Sequence, residues 1–273
     1  MTVTGAEVAR EPPGPTGPPG TQPTPSAPTD RPTRHPALGV LATPALLVLA
    51  CAALFAYLHG QNLDAIERRS INWQVISQRL VEHIELVAVS TALVIAVAIP
   101  LGVLLTRPGV RWAATPLLGL ANAGQAVPSI GVLVLLAVTV GIGFQKAVIA
   151  LVLVSALPVL RNTMIGLQGV DRSLIDAGRG MGLTKTAVLL RVELPLAVPV
   201  ILASVRIAVI LNVGSATLAA FTNAGGLGDL INTGIAINRT PILLTGSVLT
   251  AVLALACDWL VGLAERYLRP RGL

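Results

Sequence analysis

Asp171-Arg172-Ser173-Leu174-Ile175-Asp176-Ala177-Gly178-Arg179-Gly180-Met181-Gly182-Leu183-Thr184-Lys185-Thr186-Ala187-Val188-Leu189-Leu190-Arg191-Val192-Glu193-Leu194-Pro195 covers most of the longest hydrophilic segment that follows the proline-rich start of this chain, 168–193. Its pattern is that of two short amphipathic helices with a glycine joint. Asp171 can cap the first helix and Thr184 the second, since each side-chain oxygen can accept an otherwise orphaned backbone N–H. Gly180 and Gly182 permit the turn between them. Leu183, Ala187, Leu190 and Leu194 recur at helical spacing and form one apolar stripe. Pro195 suits the first turn of a following helix.

On either side the chain turns strongly apolar. Of its 273 residues 53% are hydrophobic and only 12% are charged, about half the charged share of ordinary soluble domains, and mean hydropathy is +0.78. So few charges cannot cover a water-exposed globule of this size. A soluble enzyme is excluded, and an all-α polytopic membrane bundle is expected, because lipid requires each crossing to satisfy its own backbone hydrogen bonds. The net charge of +6 points to anionic lipid headgroups and not to nucleic acid, since no soluble basic domain is present. Cys51 and Cys257 both lie in apolar runs and read as small buried hydrophobes.

Six crossings are expected: 37–58, 86–106, one within 112–145, 146–167, one within 195–227, and 241–264. Each approaches the roughly 20 apolar residues a crossing needs. The third stretch is too long for one helix and carries Asn122, Gln125 and Pro128; a short helix, a break near 122–127 and a main span from Pro128 are expected. Residues 1–36 hold ten of the twenty prolines and read as a disordered tail. Residues 37–79 then form the first crossing and an external loop, 80–265 the main transmembrane domain with the 168–195 loop, and 266–273 a basic end. With the 171–195 loop in the cytoplasm, 14 Lys and Arg residues lie inside and five outside, so both termini are placed in the cytoplasm of a cell-membrane protein. The apolar run through Cys51 continues to Leu58, longer than the core of a cleaved signal.

The loop's spacing is specific. Asp176-Ala177-Gly178, then Gly182, then Val192-x-Leu194-Pro195 resembles the EAA loop of ABC-importer permeases, E-A-A-x3-G-x9-I-x-L-P. Asp replaces Glu, Gly replaces the second Ala and Val replaces Ile, with the spacing intact. Leu157-Pro158-Val159-Leu160-Arg161-Asn162-Thr163, Glu193-Leu194-Pro195-Leu196-Ala197, Ala216-Thr217-Leu218-Ala219-Ala220-Phe221, Gly225-Gly226-Leu227-Gly228 and the run from Asn122 to Pro128-Ser129 extend the likeness over about residues 80–265. Together they are similar to permeases of the osmoprotectant group, which handle glycine betaine, carnitine, choline and proline.

That resemblance implies a type-1 ABC importer permease fold and a transport subunit that is not itself an enzyme. It implies a second permease copy or related chain, a cytoplasmic ATPase that holds ATP and Mg, and an extracytoplasmic substrate-binding protein. Asp176, Ala177, Gly178, Gly182, Leu183, Leu194 and Pro195 would form the contact with the ATPase. The residues themselves agree with this division of labour. The phosphate-loop pattern is absent, because Thr184 stands before Lys185 where a glycine is required. With eight aromatics (three Trp, two Tyr and three Phe), the chain is poorly supplied for an aromatic cage around a quaternary ammonium.

Asn122, Gln125, Arg206, Asn212, Ser215 and Thr217 are candidates for the translocation path, and Arg206 and Asp258 for an intramembrane ion pair. An ion-coupled secondary transporter is the alternative function; it would not need the cytoplasmic loop. Gly226-Leu227-Gly228-Asp229 resembles the G-x-G-D of intramembrane aspartyl proteases, but Asp229 and Asp258 fall at opposite ends of their spans and cannot share a site. His35, His59 and His83 lack ligand spacing, so no metal site is expected.

Overall fold

The computed structural model describes residues 36–268. The tail to His35 and the end of the basic C-terminus, including Arg269 and Arg271, lie outside the described residues. The helices are α1 (Pro36–His59), α2 (Ala65–Ser70), α3 (Trp73–Leu105), α4 (Ala114–Gln125), α5 (Ser129–Thr139), α6 (Phe144–Gln168), α7 (Arg172–Gly180), α8 (Lys185–Val188), α9 (Leu194–Ala216), α10 (Gly228–Ala236) and α11 (Thr240–Leu268). Among the described residues no strand forms.

Five helical stretches are long and apolar enough to cross a membrane: Leu41–His59, Trp73–Leu105, Phe144–Gln168, Lys185–Thr222 and Thr240–Tyr267. The expected sixth crossing is not one helix. Its 112–145 stretch divides into α4 and α5, of 12 and 11 residues, each only about 17 Å long at 1.5 Å per residue. The break is narrower and later than the sequence suggested. Helix α4 runs on through Asn122 to Gln125, and Pro128, which has no N–H, occupies the N-cap position of α5.

The order of packing shows why this pair must still cross. Leu86 and Val87 near the middle of α3 share a cluster with Ala147, Val148 and Leu151 at the start of α6. Ala98 and Leu105 near the end of α3 share another with Leu157, Leu160 and Met164 near the end of α6. The two helices are therefore parallel, and the chain between them has to return. Ala114 of α4 packs in the second cluster and Leu133 of α5 in the first, so the broken pair makes that return. Helix α9 runs the opposite way, with Ala197 and Ile201 beside Leu167 and Val213 beside Leu86 and Ala147.

The second crossing also starts earlier than Leu86. Asn72 accepts a hydrogen bond from the Val75 N–H at 2.9 Å, and α3 begins at Trp73. The extra turns hold Arg79, Glu82 and His83, which find polar partners within the protein (below). Pro100, Pro158 and Pro199 all lie inside continuous helices.

Small residues set the closest approach, as expected where lipid provides no hydrophobic drive between helices. A Cβ added at Gly102 would stand 2.8 Å from Thr163 Cβ and 3.1 Å from the Leu160 carbonyl oxygen. Gly102→Ala should therefore destabilise the α3–α6 pair by about 1–3 kcal/mol, read as a lowered unfolding temperature of the detergent-solubilised protein. Gly119→Ala, with no atom within 4 Å of the new carbon, should leave that temperature unchanged.

Candidate functional site

The 171–195 loop folds much as its residues suggest. The Asp171 carboxylate caps α7 by accepting the Ser173 N–H at 2.9 Å, and that bond holds its carboxyl below the ordinary aspartate range. Thr184 Oγ1 caps α8 by accepting the Ala187 N–H at 3.2 Å. Gly182, at φ +86°, makes the turn between them, with its N–H donated to the Arg179 carbonyl and that of Leu183 to Gly178. Gly178 is buried against Leu183, Val188 and Val192; a Cβ there would meet them at 3.5–3.7 Å, ordinary contact distances. An alanine fits where this chain has glycine.

The second helix is shorter than its apolar stripe implied. Helix α8 is a single turn, followed by a wide π turn at Leu189–Glu193 closed by the Leu194 N–H donating to the Leu189 carbonyl. Pro195 explains this: it has no N–H for the Arg191 carbonyl and its ring crowds that group, so the chain widens just before α9. Asp176, Ala177, Leu174 and Met181 remain exposed, as does Leu190. Leu194 is partly buried against Leu167, Ala197 and Ile201. The loop thus presents Asp176 and exposed apolar side chains, among the basic Arg172, Arg179 and Lys185, on a face that this chain does not cover.

A bond not foreseen from the sequence anchors it. Glu193, whose side chain is only 10% exposed, accepts from Arg107 through both carboxylate oxygens, at 2.6 and 3.3 Å. Arg107 also donates to the Val103 carbonyl and Thr106 Oγ1 at the end of α3. The partners are 86 residues apart. The only hint was a buried-side acid beside Leu194-Pro195.

At the far end of α3 a second cluster holds the turn after α9. The Glu82 carboxylate accepts the Gly226 N–H at 3.0 Å and pairs with Arg79, which also reaches Asp229 at 2.8 Å. Burial raises the Asp229 carboxyl above its ordinary range, opposed by Arg79 and aided by Glu82. His83, fully buried, receives the Leu227 N–H at Nδ1 and therefore donates from Nε2 to the Val213 carbonyl. Gly225 and Gly226 have φ of +81° and +90°, and a side chain at Gly225 would strike the Glu82 carboxylate.

Arg206 and Asp258 come together as a two-point pair, Nε to Oδ1 at 2.5 Å and Nη2 to Oδ2 at 2.7 Å, beside a polar crevice of about 120 Å³ that includes Thr43 and Arg266. Arg206 is therefore engaged with α11. Asp229 is bound to Arg79 and Asp258 to Arg206, so the two acids form no dyad. Asn212 is fully buried and donates to Thr91 Oγ1 at 3.0 Å; it bridges α9 and α3. Thr217 donates to the Gly214 carbonyl and Ser215 is half-buried. Asn122 and Gln125 are exposed beside the α4–α5 break. A hollow of about 330 Å³ between α3, α9 and α11 is lined mainly by apolar side chains such as Ile84, Val87, Ile95 and Leu253. Among the described residues no group of three His, Cys, Asp or Glu side chains could hold a metal.

A multi-pass helical bundle with broken crossings and a capped, outward-facing polar loop is the build of a membrane transport subunit. The family described as "Binding-protein-dependent transport system inner membrane component" matches residues 98–270, more than half of the chain, and this chain belongs to it. The choline transport system permease protein of Bacillus subtilis is 40% identical over 192 residues, covering 70% of this chain and 88% of that protein. An osmoprotectant import permease protein of Salmonella typhimurium is 40% identical over 225 residues, 82% of this chain and 93% of its own. Among solved structures, an inward-facing conformation of the MetNI methionine ABC transporter superposes with a TM-score of 0.63 at 27% identity, covering 71% of this chain and 96% of that one. The fold is thus that of an ABC importer permease.

The Arg206–Asp258 pair yields a direct check. Both side chains are about a third exposed, which weakens the pair by screening. A cycle of Arg206→Met, Asp258→Leu and the double variant should show a coupling energy of about 1–2 kcal/mol, with the double variant more stable than the sum of single losses predicts. Thermal unfolding in detergent measures it.

Proposed function

We propose that this chain is the permease subunit of an ATP-driven importer of quaternary-amine osmoprotectants such as glycine betaine, choline or carnitine, with proline in the same group. The observation that carries the substrate class is the 40% identity, over most of the chain, to permeases named for choline and osmoprotectant import. In this reading the 171–193 loop docks on a cytoplasmic ATPase, which holds and hydrolyses ATP with Mg. Exposed Leu174, Met181 and Leu190, together with Asp176 and Ala177, would meet its groove, while Gly178, Gly182, Leu183, Leu194 and Pro195 shape the loop. An extracytoplasmic binding protein delivers the solute. A second copy of the chain, or a related permease, completes the path, and Asn122 and Gln125 at the α4–α5 break are the polar groups free to line it. Both termini lie in the cytoplasm of the cell membrane.

High-affinity selection belongs to the binding protein in this scheme. The chain's eight aromatics are few for a cage around a quaternary ammonium.

The test is uptake of radiolabelled betaine, choline, carnitine and proline at low and high osmolarity. Uptake should cease on ATP depletion and survive ionophores; the opposite pattern would make the protein an ion-coupled transporter. Asp176→Lys and Gly182→Pro should each abolish uptake while the protein still elutes as a folded species. The second follows from geometry, since proline holds φ near −65° and the site needs +86°. Gly178→Ala should retain uptake, because the added methyl fits and alanine favours the helix by up to about 1 kcal/mol.

A further inference from the structure

Helix α3 is fastened at both ends to segments distant in sequence, and its lower fastening has the geometry of a link. At that end Glu193 and Arg107 meet through two parallel hydrogen bonds, a geometry that fixes orientation as well as distance. Arg107 cannot swing freely, because its guanidinium also donates to the Val103 carbonyl and to Thr106 Oγ1. It is a cation held at the C-terminus of α3, where the exposed carbonyls favour it. Glu193 belongs to the π turn that interrupts the helical path from Lys185 to Thr222. Such a turn is a local widening that a helix can gain or lose.

Displacement of α7 and α8 would therefore either be absorbed at this turn or be passed on. Gly178 lies buried beside Val188 and Val192, which ties the loop to the π turn. Glu193 then hands the displacement to Arg107, and Arg107 to the end of α3. Toward the start of α3, roughly 35 Å from Arg107 at 1.5 Å per residue, Glu82 and His83 grip the 225–227 turn.

We propose that Arg107 and Glu193 are the positioning pair through which movement of the 171–193 loop reaches α3. This rests on the coupling role proposed for that loop.

The experiment uses proteoliposomes containing the whole transporter, that is, this chain with its ATPase and binding protein. Radiolabelled solute uptake and ATP hydrolysis are measured in the same vesicles, for the wild type, Glu193→Gln, Arg107→Glu, Glu193→Arg and the exchanged double variant. The expected result is that each single variant still hydrolyses ATP while uptake per ATP falls about fivefold or more, and that the exchange restores much of the ratio. Glu193→Gln keeps the side-chain shape and carries the test should a charge reversal fail to assemble. A wild-type uptake-to-hydrolysis ratio in the single variants overturns the proposal. So does a parallel loss of both activities that the exchange does not repair, since that marks a structural brace only. Absence of ATP-driven uptake in the wild type would instead remove the functional reading beneath it, and the pair's role would fall with it.

Discussion

The parallel packing of α3 against α6 is the constraint from which the rest of the bundle follows. Two parallel helices joined in sequence need a return between them, and in lipid that return must satisfy its own backbone. Here it is made by α4 and α5, neither long enough alone. Pro128, with no N–H to lose, sits at the joint. The α3–α6 seam can be tight because Gly102 lies against Thr163, with Ala98 and Ala147 also fully enclosed. Helix α9 then fills the groove beside them in the opposite sense. The divided crossing is thus a topological necessity, and it places Asn122 and Gln125 at its break.

Charge inside the bundle follows a second pattern: three arginines are bound to acids on other segments of the chain. Arg206 meets Asp258, Arg79 meets Glu82 and Asp229, and Arg107 meets Glu193. Isolated charges at such positions would be expensive. The polar clusters lie toward the two ends of α3, while between them Val94 and Ala98 are apolar and buried.

The sequence made the crossings legible because hydropathy is a local property; the fourth and sixth stretches fall within one to four residues of α6 and α11. It also made the loop legible, since Asp171, Gly182 and Thr184 act within a few residues of themselves. The Arg206–Asp258 pair could be anticipated because two lone charges sat at similar depth. Arg107–Glu193 and the grip of Glu82 and His83 on Gly226 and Leu227 could not. Those contacts join residues 86 to 144 apart, and at a span's edge a charge reads simply as interfacial. Asn212 was read as facing a path because polarity in a span is visible and direction is not; its side chain turns out to bridge to Thr91.

Helix α1 differs from the others: from Leu41 to His59 none of its residues is buried, and it leans on α11. It precedes the other described helices in the chain, and α11 follows them. During synthesis α1 must reside in the bilayer until α11 emerges, without that neighbour's surface to shelter a polar group. Its span of uncharged side chains, apolar on every face, is the composition that such a wait demands. The order of biosynthesis has thereby left its mark on the one helix that the finished bundle scarcely encloses.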